Sequence, residues 1–359
     1  MSKIHQKYMK RVLNLAKKGS GLTSPNPIVG AVIVKNNNII GEGYHKKAGE
    51  EHAEINALRS SKESPKGAIL YINLEPCDHV GKTPPCTQEI INSGIKEVII
   101  AMVDPNPLVS GRGIKKLESY GIRVNVGVLE EKAKKLNEAY IYSITNKLPF
   151  VQLKMATSLN GKIYIPALKK DRYITGEKSR KEVHKLRSQV DAILIGKNTA
   201  AIDNSMLTNR FVKGKSPIRI VVDSKCSLDL NLNLFVNKDA ETIIATSELA
   251  DEKVISNFKE RGIKVMVFPQ KDEKVDLKEL LKGFWQMGIN NILVEGGALM
   301  ATSFLQMELV NKIIFYISPI IVGQGLSFWT GKEELIVKIK NVEYKKTGED
   351  IRIIGYLKV

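Results

Sequence analysis

The sequence predicts an α/β protein of two domains, on three observations. Apolar runs of strand length alternate with helical patterns along almost the whole chain; "TNKLPF" at 145–150 interrupts that alternation; and 359 residues exceed what one hydrophobic core usually sustains. At 43% hydrophobic and 26% charged residues, the composition is that of a folded chain and excludes a disordered or fibrous one.

Taken in order, the first helix candidate runs from Tyr8 to Lys18 and stops at Gly19 before a Ser/Gly/Thr/Pro cluster. "IVGAVIVKNNNIIGEGYH" is two apolar runs joined by an Asn-rich turn, which reads as a hairpin. A helix from about His52 to Ser60 follows, then the strand "GAILYINLEPC", a helix around Gln88–Ser93 and the strand "IKEVIIAMV". The helix "GIKKLESYG", the strand "IRVNVGVL" and a charged helix from Glu130 to about Ser143 complete this part. Such alternation implies a largely parallel sheet behind the hairpin. The break at 145–150 divides the chain into domains 1–146 and 147–359.

The second part opens with the strand "FVQLKMATS" and continues through the helix "SRKEVHKLRS" and the strands "DAILIG", "IRIVVD", "TIIATS" and "KVMVF". The helix "LKELLKGFWQMG", the strand "NILVEGG", the helix "ALMATSFLQM" and the strand "KIIFYISPIIVG" come next. Two β-rich runs, "ELIVKIKNVEY" and "IRIIGYLKV", end it, and no internal repeat relates the two halves.

The net charge of +17, from 55 basic and 38 acidic residues, permits attraction to phosphates, but the lysines are dispersed as on a solvated surface. The first twenty residues lack the apolar core of a signal peptide, and no stretch reaches the roughly 18 apolar residues of a membrane span. The expectation is a cytoplasmic protein without a membrane partner. Three cysteines, Cys77, Cys86 and Cys226, are too few for a disulfide framework, so metal binding or burial is expected of them.

A catalytic zinc needs three protein ligands and an open position. His52 at a helix start, Cys77 after Pro76 and Cys86 after Pro84 and Pro85 supply such a set, each at a turn into a helix. Glu54 is then the proton carrier between the attacking water and the leaving amine. An H-x-E triplet followed by P-C and a second Cys is the pattern of zinc deaminases that attack a ring carbon bearing an amino group. Residues i and i+2 of a helix do not face each other, so His52 and Glu54 serve one metal only from the helix's first turn.

Eight residues, "DHVGKTPP", separate the two cysteines, where the general deaminase pattern has two. "TSPNPIVGAVIV", "GYH", "HAEINAL", "LEPCDHVGKTPPC" and "VDPNPLVSGRGI" resemble the N-terminal half of the bifunctional riboflavin-biosynthesis deaminase/reductase family. That resemblance implies a cytidine-deaminase-like three-layer domain acting on a phosphoribosylamino-pyrimidine. It also implies Asn26, His45, His79, Lys82, Thr83 and Asn106 as substrate ligands, with Lys82 toward the 5′-phosphate and Asn26 toward a ring edge.

In the second half, "VQLKMATSLNGKI" is a strand running into a turn, and "VEGGALMATSFL" is a strand ending in Gly296-Gly297 and opening a helix, a junction that lets backbone N–H groups approach a phosphate. It is not a G-x-G-x-x-G fingerprint. Together with "DRYITGEKSRKEVHKLRSQVDAILIGKNTAAIDNSMLTNR", these stretches resemble the reductase half of the same family, a dihydrofolate-reductase-like α/β domain. The resemblance implies NADPH as hydride donor and a ring-opened ribosyl C1′ as acceptor. Carried over, Ala156, Tyr173, Thr199, Asp203, Gly297, Ala298, Leu299, Met300, Ala301, Thr302 and Ser303 line the NADPH site, while Lys154, Arg187, Leu207, Arg210 and Glu295 meet substrate. Arg187 and Arg210 are the expected phosphate ligands. The family usually has Asp where Asn160 stands, commonly Trp where Tyr173 stands and often Ser near Asp171; Tyr173 keeps an aromatic face, and Asp171 is not counted as a ligand. The resemblance further implies a homo-oligomer without a nucleic-acid partner.

Two other readings stand beside this one. A nucleic-acid-editing zinc deaminase with an accessory α/β domain explains the first half and leaves "VEGG" without a task. A structural zinc module requires a fourth protein ligand, for which His79 or His45 are the candidates.

Overall fold

Asn36 and Asn37, the two residues between the first pair of strands, both take left-handed backbone (φ 49° and 64°), as a two-residue hairpin loop requires. The computed structural model in which they lie describes residues 3–78, 85–166, 173–332 and 334–357. It divides into two units, Met1–Lys147 and Leu148–Val359.

In the first unit, α1 (Lys3–Ala16) precedes β1 (Gly30–Lys35), β2 (Asn38–Tyr44), α2 (Ala53–Arg59), β3 (Ile69–Leu74), α3 (Cys86–Asn92) and β4 (Glu97–Met102). Then come α4 (Arg112–Ser119), β5 (Arg123–Val126), α5 (Glu130–Leu136) and α6 (Glu138–Asn146). The sheet order is β2-β1-β3-β4-β5. β1 pairs antiparallel with both β2 and β3, while β3, β4 and β5 run parallel. Successive strand residues point to opposite faces, and both faces are covered. Val32, Val34, Tyr71 and Ile99 pack under Met9 and Val12 of α1; Ala31, Ile33, Leu70 and Ile72 pack under Ala53 and Ala57 of α2 and Ile90 of α3.

The expected helix from Glu130 to Ser143 is two helices, because Asn137 leaves helical geometry between α5 and α6 (φ −105°, ψ 19°). Its buried carboxamide is used elsewhere. Oδ1 accepts the Ile28 N–H at 2.7 Å and Nδ2 donates to the Ile28 carbonyl at 3.0 Å, as a neighbouring strand would. Asn73 of β3 works beside it, accepting from Gly30 N–H at 2.7 Å and donating to the same Ile28 carbonyl at 2.9 Å. Two side chains thus hold the backbone of residues 28–30.

The second unit contains β6 (Phe150–Ser158), β7 (Lys162–Tyr164), α7 (Glu177–Arg187), β8 (Ala192–Gly196), α8 (Lys197–Asp203) and β9 (Ile218–Val222). It continues with α9 (Asn233–Val236), β10 (Thr242–Ser247), α10 (Glu252–Glu260), β11 (Lys264–Phe268), β12 (Gln270–Lys271), β13 (Lys274–Val275) and α11 (Leu277–Gln286). β14 (Asn291–Val294), α12 (Ala298–Gln306), β15 (Lys312–Ser318), β16 (Leu326–Ser327), β17 (Lys340–Thr347) and β18 (Asp350–Tyr356) complete it. Nine strands form one sheet in the order β11-β10-β9-β8-β14-β6-β15-β18-β17. After β11 the chain returns to insert β14 between β8 and β6, parallel to both. The carboxyl ends on either side of such a return leave a crevice where ligands bind in open α/β sheets. The "ELIVKIKNVEY" run forms a strand only from Lys340; residues 334–339 do not pair.

Substituting Asn137→Ala leaves the Ile28 N–H without its side-chain acceptor. The expected cost is about 1–3 kcal/mol, read as a lowered denaturant midpoint at unchanged slope.

Candidate functional sites

His52 lies outside α2 as its N-cap, with extended backbone (φ −73°, ψ 165°), whereas Glu54 is inside the first turn. That change of backbone between them lets two residues of spacing i, i+2 face one point. Cys77 follows the end of β3, and Cys86 is the first residue of α3. His52 Nδ1 lies 3.2 Å from Cys86 Sγ and 3.6 Å from Cys77 Sγ, and all three donor atoms fall within 4.8 Å of one another. Tetrahedral zinc with bonds of about 2.0–2.3 Å separates its donors by roughly 3.3–3.8 Å. The residues therefore fit zinc both in donor chemistry and in spacing.

Glu54 is 3% exposed, and burial together with the Cys77 sulfur pushes its carboxyl up to about 7. Hydrogen bonding to Cys86 and to His52 holds the Cys77 thiol below its ordinary range, while Cys86 is raised. Cys77 is thus the sulfur of the pair that gives up its proton more readily.

Asn26 and His45 join this group. The Asn26 carboxamide donates to His45 Nε2 at 3.2 Å, and His45 Nδ1 donates to the Glu51 carbonyl at 3.0 Å. That assignment makes the imidazole neutral, in line with burial lowering its pKa. Its ring meets the His52 ring edge-on at 5.4 Å. Both His45 nitrogens are occupied, so His45 is not the fourth ligand that a structural zinc module requires, and among the described residues the metal-binding group has three members. Asn106 instead caps a turn, its Oδ1 accepting the Leu108 N–H at 3.1 Å and its own N–H donating to Asp104 at 2.9 Å. His79, Lys82 and Thr83 lie outside the described residues, as does Asp171.

The structure adds Glu75, two residues before Cys77, to the surroundings of this site. Its buried carboxylate accepts the N–H groups of Gly111 and Gly113 at 2.9 and 3.0 Å, with Asp104 and Ile114 at 3.3 Å. The signal in the sequence is an acidic residue directly after a mostly apolar strand. It ties the 104–114 loop to the strand end that carries Cys77.

In the second unit a cleft of about 1690 Å³ opens at the carboxyl ends of β6, β8, β9 and β14. Lys154, Ala156, Tyr173, Thr199, Asp203, Arg187, Arg210 and Glu295 all line it, as do Gly297, Ala298, Leu299, Met300 and Ser303. Ala301, Thr302 and Leu207 do not. The helical period turns Ala301 into the sheet-covering core and Thr302 onto Thr330, and Leu207 is buried in a separate apolar cluster.

Glu295, at the end of β14, receives Arg187 as a fork, Nε to Oε1 at 2.7 Å and Nη2 to Oε2 at 3.0 Å, and Lys154 Nζ at 3.3 Å. Burial alone would raise this carboxyl, but the two cations hold it at about 2. Arg187 is therefore not a solvated helix-face residue, its side chain being 11% exposed. The Gly297 N–H donates to Thr199 Oγ1 at 2.9 Å, which joins the start of α12 to α8 across the cleft. Tyr173 stacks one ring face on Arg180 at 4.4 Å. Asn160 accepts the Val322 N–H at 3.1 Å and donates to the Val322 carbonyl at 2.8 Å, so its carboxamide does a task that Asp could only half perform.

Comparison with known proteins matches each unit to a known domain. Residues 2–102 match the family model for the cytidine and deoxycytidylate deaminase zinc-binding region, and residues 149–353 match the RibD C-terminal domain. The riboflavin biosynthesis protein RibD of Aquifex aeolicus (strain VF5) is 43% identical over 356 residues, 98% of each chain. That of Escherichia coli (strain K12) is 36% identical over 362 residues, covering 96% of this chain and 97% of the other. Among solved structures, Acinetobacter baumannii RibD (form 1) superposes with a TM-score of 0.88 at 32% identity, covering 99% of both chains. The diaminohydroxyphosphoribosylaminopyrimidine deaminase/5-amino-6-(5-phosphoribosylamino)uracil reductase of Thermotoga maritima gives a TM-score of 0.86 at 37% identity, also over 99% of both. With a zinc-fitting triad in one unit, a basic cleft in the other and full-length relatives above 30% identity, this chain belongs to the RibD family of riboflavin biosynthesis proteins.

Proposed function

We propose that the first unit hydrolytically deaminates 2,5-diamino-6-ribosylamino-4(3H)-pyrimidinone 5′-phosphate and the second reduces the ribosyl side chain of the product to ribityl with NADPH. The observation that carries this reading is the convergence of His52, Cys77 and Cys86 within 4.8 Å beside the buried Glu54. Zinc bound there supplies a Lewis acid that makes water a nucleophile near neutral pH. Glu54 takes the proton lost by that water and returns it to the amine that leaves, a transfer suited to a carboxyl raised by burial. Asn26 orients the pyrimidine through its carboxamide, and His45, both of whose ring nitrogens are already bonded, meets it as a fixed ring.

In the second unit NADPH supplies the hydride. Ala156, Tyr173, Thr199, Asp203 and the cleft-facing residues Gly297 to Met300 and Ser303 bind the cofactor in this reading, while Lys154, Arg187, Arg210 and Glu295 bind substrate; all of them share one cleft. Glu295 fixes Arg187 and Lys154 in direction, and the Arg210 side chain is exposed toward the same space as a phosphate ligand. Lys82 and Thr83, which lie outside the described residues, are substrate ligands in the same proposal. Self-association is part of it too, supported by the exposed apolar residues Val342 and Tyr344 on the edge strand β17. No described helix is long and apolar enough to cross a membrane. The nucleic-acid-editing reading is not favoured, because the relatives match across both units.

Glu54→Gln lowers ammonia release by about 10²–10⁴-fold while NADPH is still consumed when the deaminated intermediate is supplied. Equal loss of both activities in a folded variant argues against separate sites. Stripping the metal with a chelator abolishes ammonia release and leaves reduction intact, and added zinc restores the first activity. Glu295→Ala leaves the largely shielded Arg187 and Lys154 side chains without their partner and destabilises the chain by about 3–5 kcal/mol. Because the folded carboxyl sits near 2 and its ordinary value is 4.5, its stabilisation is full above about pH 4.5 and is lost as pH falls through 2. Acid titration of stability is therefore shallower over that range in Glu295→Gln than in the wild type.

A further inference from the structure

Residues 204–217, between α8 and β9, carry Arg210 and form neither helix nor strand. Their backbone is held from α7. Arg187 Nη1 donates to the Thr208 carbonyl at 3.4 Å, and one turn earlier on the same helix His184 Nδ1 accepts the Arg210 N–H at 3.1 Å. The loop also braces itself, with the Asn209 carboxamide donating to the Val212 carbonyl at 3.0 Å. His184 is 5% exposed, and its ring lies 4.4 Å from that of Phe211.

A backbone N–H can only donate, so Nδ1 of His184 carries no proton and the imidazole is neutral. Burial and the neighbouring charges of Arg187 and Arg210 favour that state, holding the ring at about 4. A neutral acceptor is what this position needs. A carboxylate here would pair with the two guanidinium groups and spend the charge that a phosphate is to meet, as Glu295 already does with one edge of Arg187. The Arg210 side chain is exposed toward the cleft, and no described residue forms an ion pair with it.

We propose that His184 is a positioning residue: by accepting the Arg210 N–H as an uncharged group, it fixes the arginine where its guanidinium meets the phosphate of the reductase substrate. The proposal rests on the function proposed above. It is specific about how the phosphate is recognised, and it assigns His184 no contact with the reacting atoms.

The test measures reduction by the full-length enzyme, with NADPH, of the deaminated 5′-phosphorylated intermediate and of its dephosphorylated counterpart. His184→Phe keeps an aromatic ring beside Phe211 and removes the acceptor; it raises KM for the phosphorylated substrate about tenfold, the effect of one hydrogen bond's worth of positioning. Turnover, KM for NADPH and KM for the dephosphorylated substrate stay within about twofold. His184→Asn, whose Oδ1 can stand where Nδ1 does, recovers most of the loss, and His184→Gln, which carries its amide further out, does not. In an Arg210→Ala background His184→Phe adds nothing further. If His184→Phe does not fold, the Asn and Gln pair makes the same comparison. A KM that rises equally for both substrates, or an effect that adds to that of Arg210→Ala, overturns the proposal by showing a general structural role. Wild-type enzyme that binds both substrates equally removes the phosphate reading itself, whereas a wild-type preference that survives His184→Phe overturns the positioning role alone.

Discussion

The deaminase site depends on a backbone contact that only glycine permits. A Cβ on Gly43 would stand 2.4 Å from the Ala53 carbonyl, and one on Gly41 2.4 Å from that of Ala57. These glycines alternate along β2, so both face α2, and the two alanines are one helical turn apart. The helix therefore rides directly on the strand with no side chain between. Its N-terminal end carries His52 and Glu54 to the two sulfurs, which arrive from the end of β3 and the start of α3. A methyl at either glycine would lift α2 by something like an ångström, and a displacement of that size at a reacting centre costs orders of magnitude in rate. Tight packing at a distance from the metal is thus part of the site's geometry.

Two glutamates largely withdrawn from water show how the same side chain is set to opposite tasks by its neighbours. Glu54 sits among sulfurs and one imidazole, so burial dominates and its carboxyl rises to about 7. Glu295 sits between a guanidinium fork and an ammonium, and their charge outweighs a comparable burial, leaving it at about 2. The first group is suited to exchanging a proton near neutral pH. The second never does, and acts as a fixed anion that orders two cations on one side of the cleft. Environments that drive two titratable groups apart in this way assign their roles without reference to either residue's type.

Much of this was legible in the sequence because the relevant signals are local. Strand and helix alternate visibly, the hairpin shows its Asn-rich turn, and the triplet at 52–54 acquires meaning from two cysteines at their own turns into helices. What stayed hidden depends on contacts between distant residues. Asn137 looks like any polar residue in a charged helix, yet it breaks that helix because its carboxamide serves Ile28, 109 positions away. Arg187 looks like a solvated residue of a basic helix until Glu295 is brought beside it. The run from Gly297 to Ser303 reads as a continuous binding stretch, but a helix presents only part of its circumference, so Ala301 goes to the core while Met300 and Ser303 face the cleft.

Amides standing in for a strand explain how the deaminase pocket is kept rigid where the sheet ends. Residues 28–30 lie where the Ile28 N–H and carbonyl have side-chain rather than strand partners, supplied by Asn73 and Asn137. Holding that backbone sets the place of Asn26 two residues earlier. Asn26 then fixes the His45 ring through Nε2, and the ring's other nitrogen reaches the Glu51 carbonyl immediately before His52. Each link is a directed hydrogen bond between groups with few alternative partners, so the order imposed at Ile28 is carried to the edge of the metal triad. An apolar wall could fill the same volume, but it would leave the orientation of Asn26 and the tautomer of His45 undetermined. Directed polar contacts, and not packing alone, therefore set the Asn26 carboxamide and the His45 ring beside the triad.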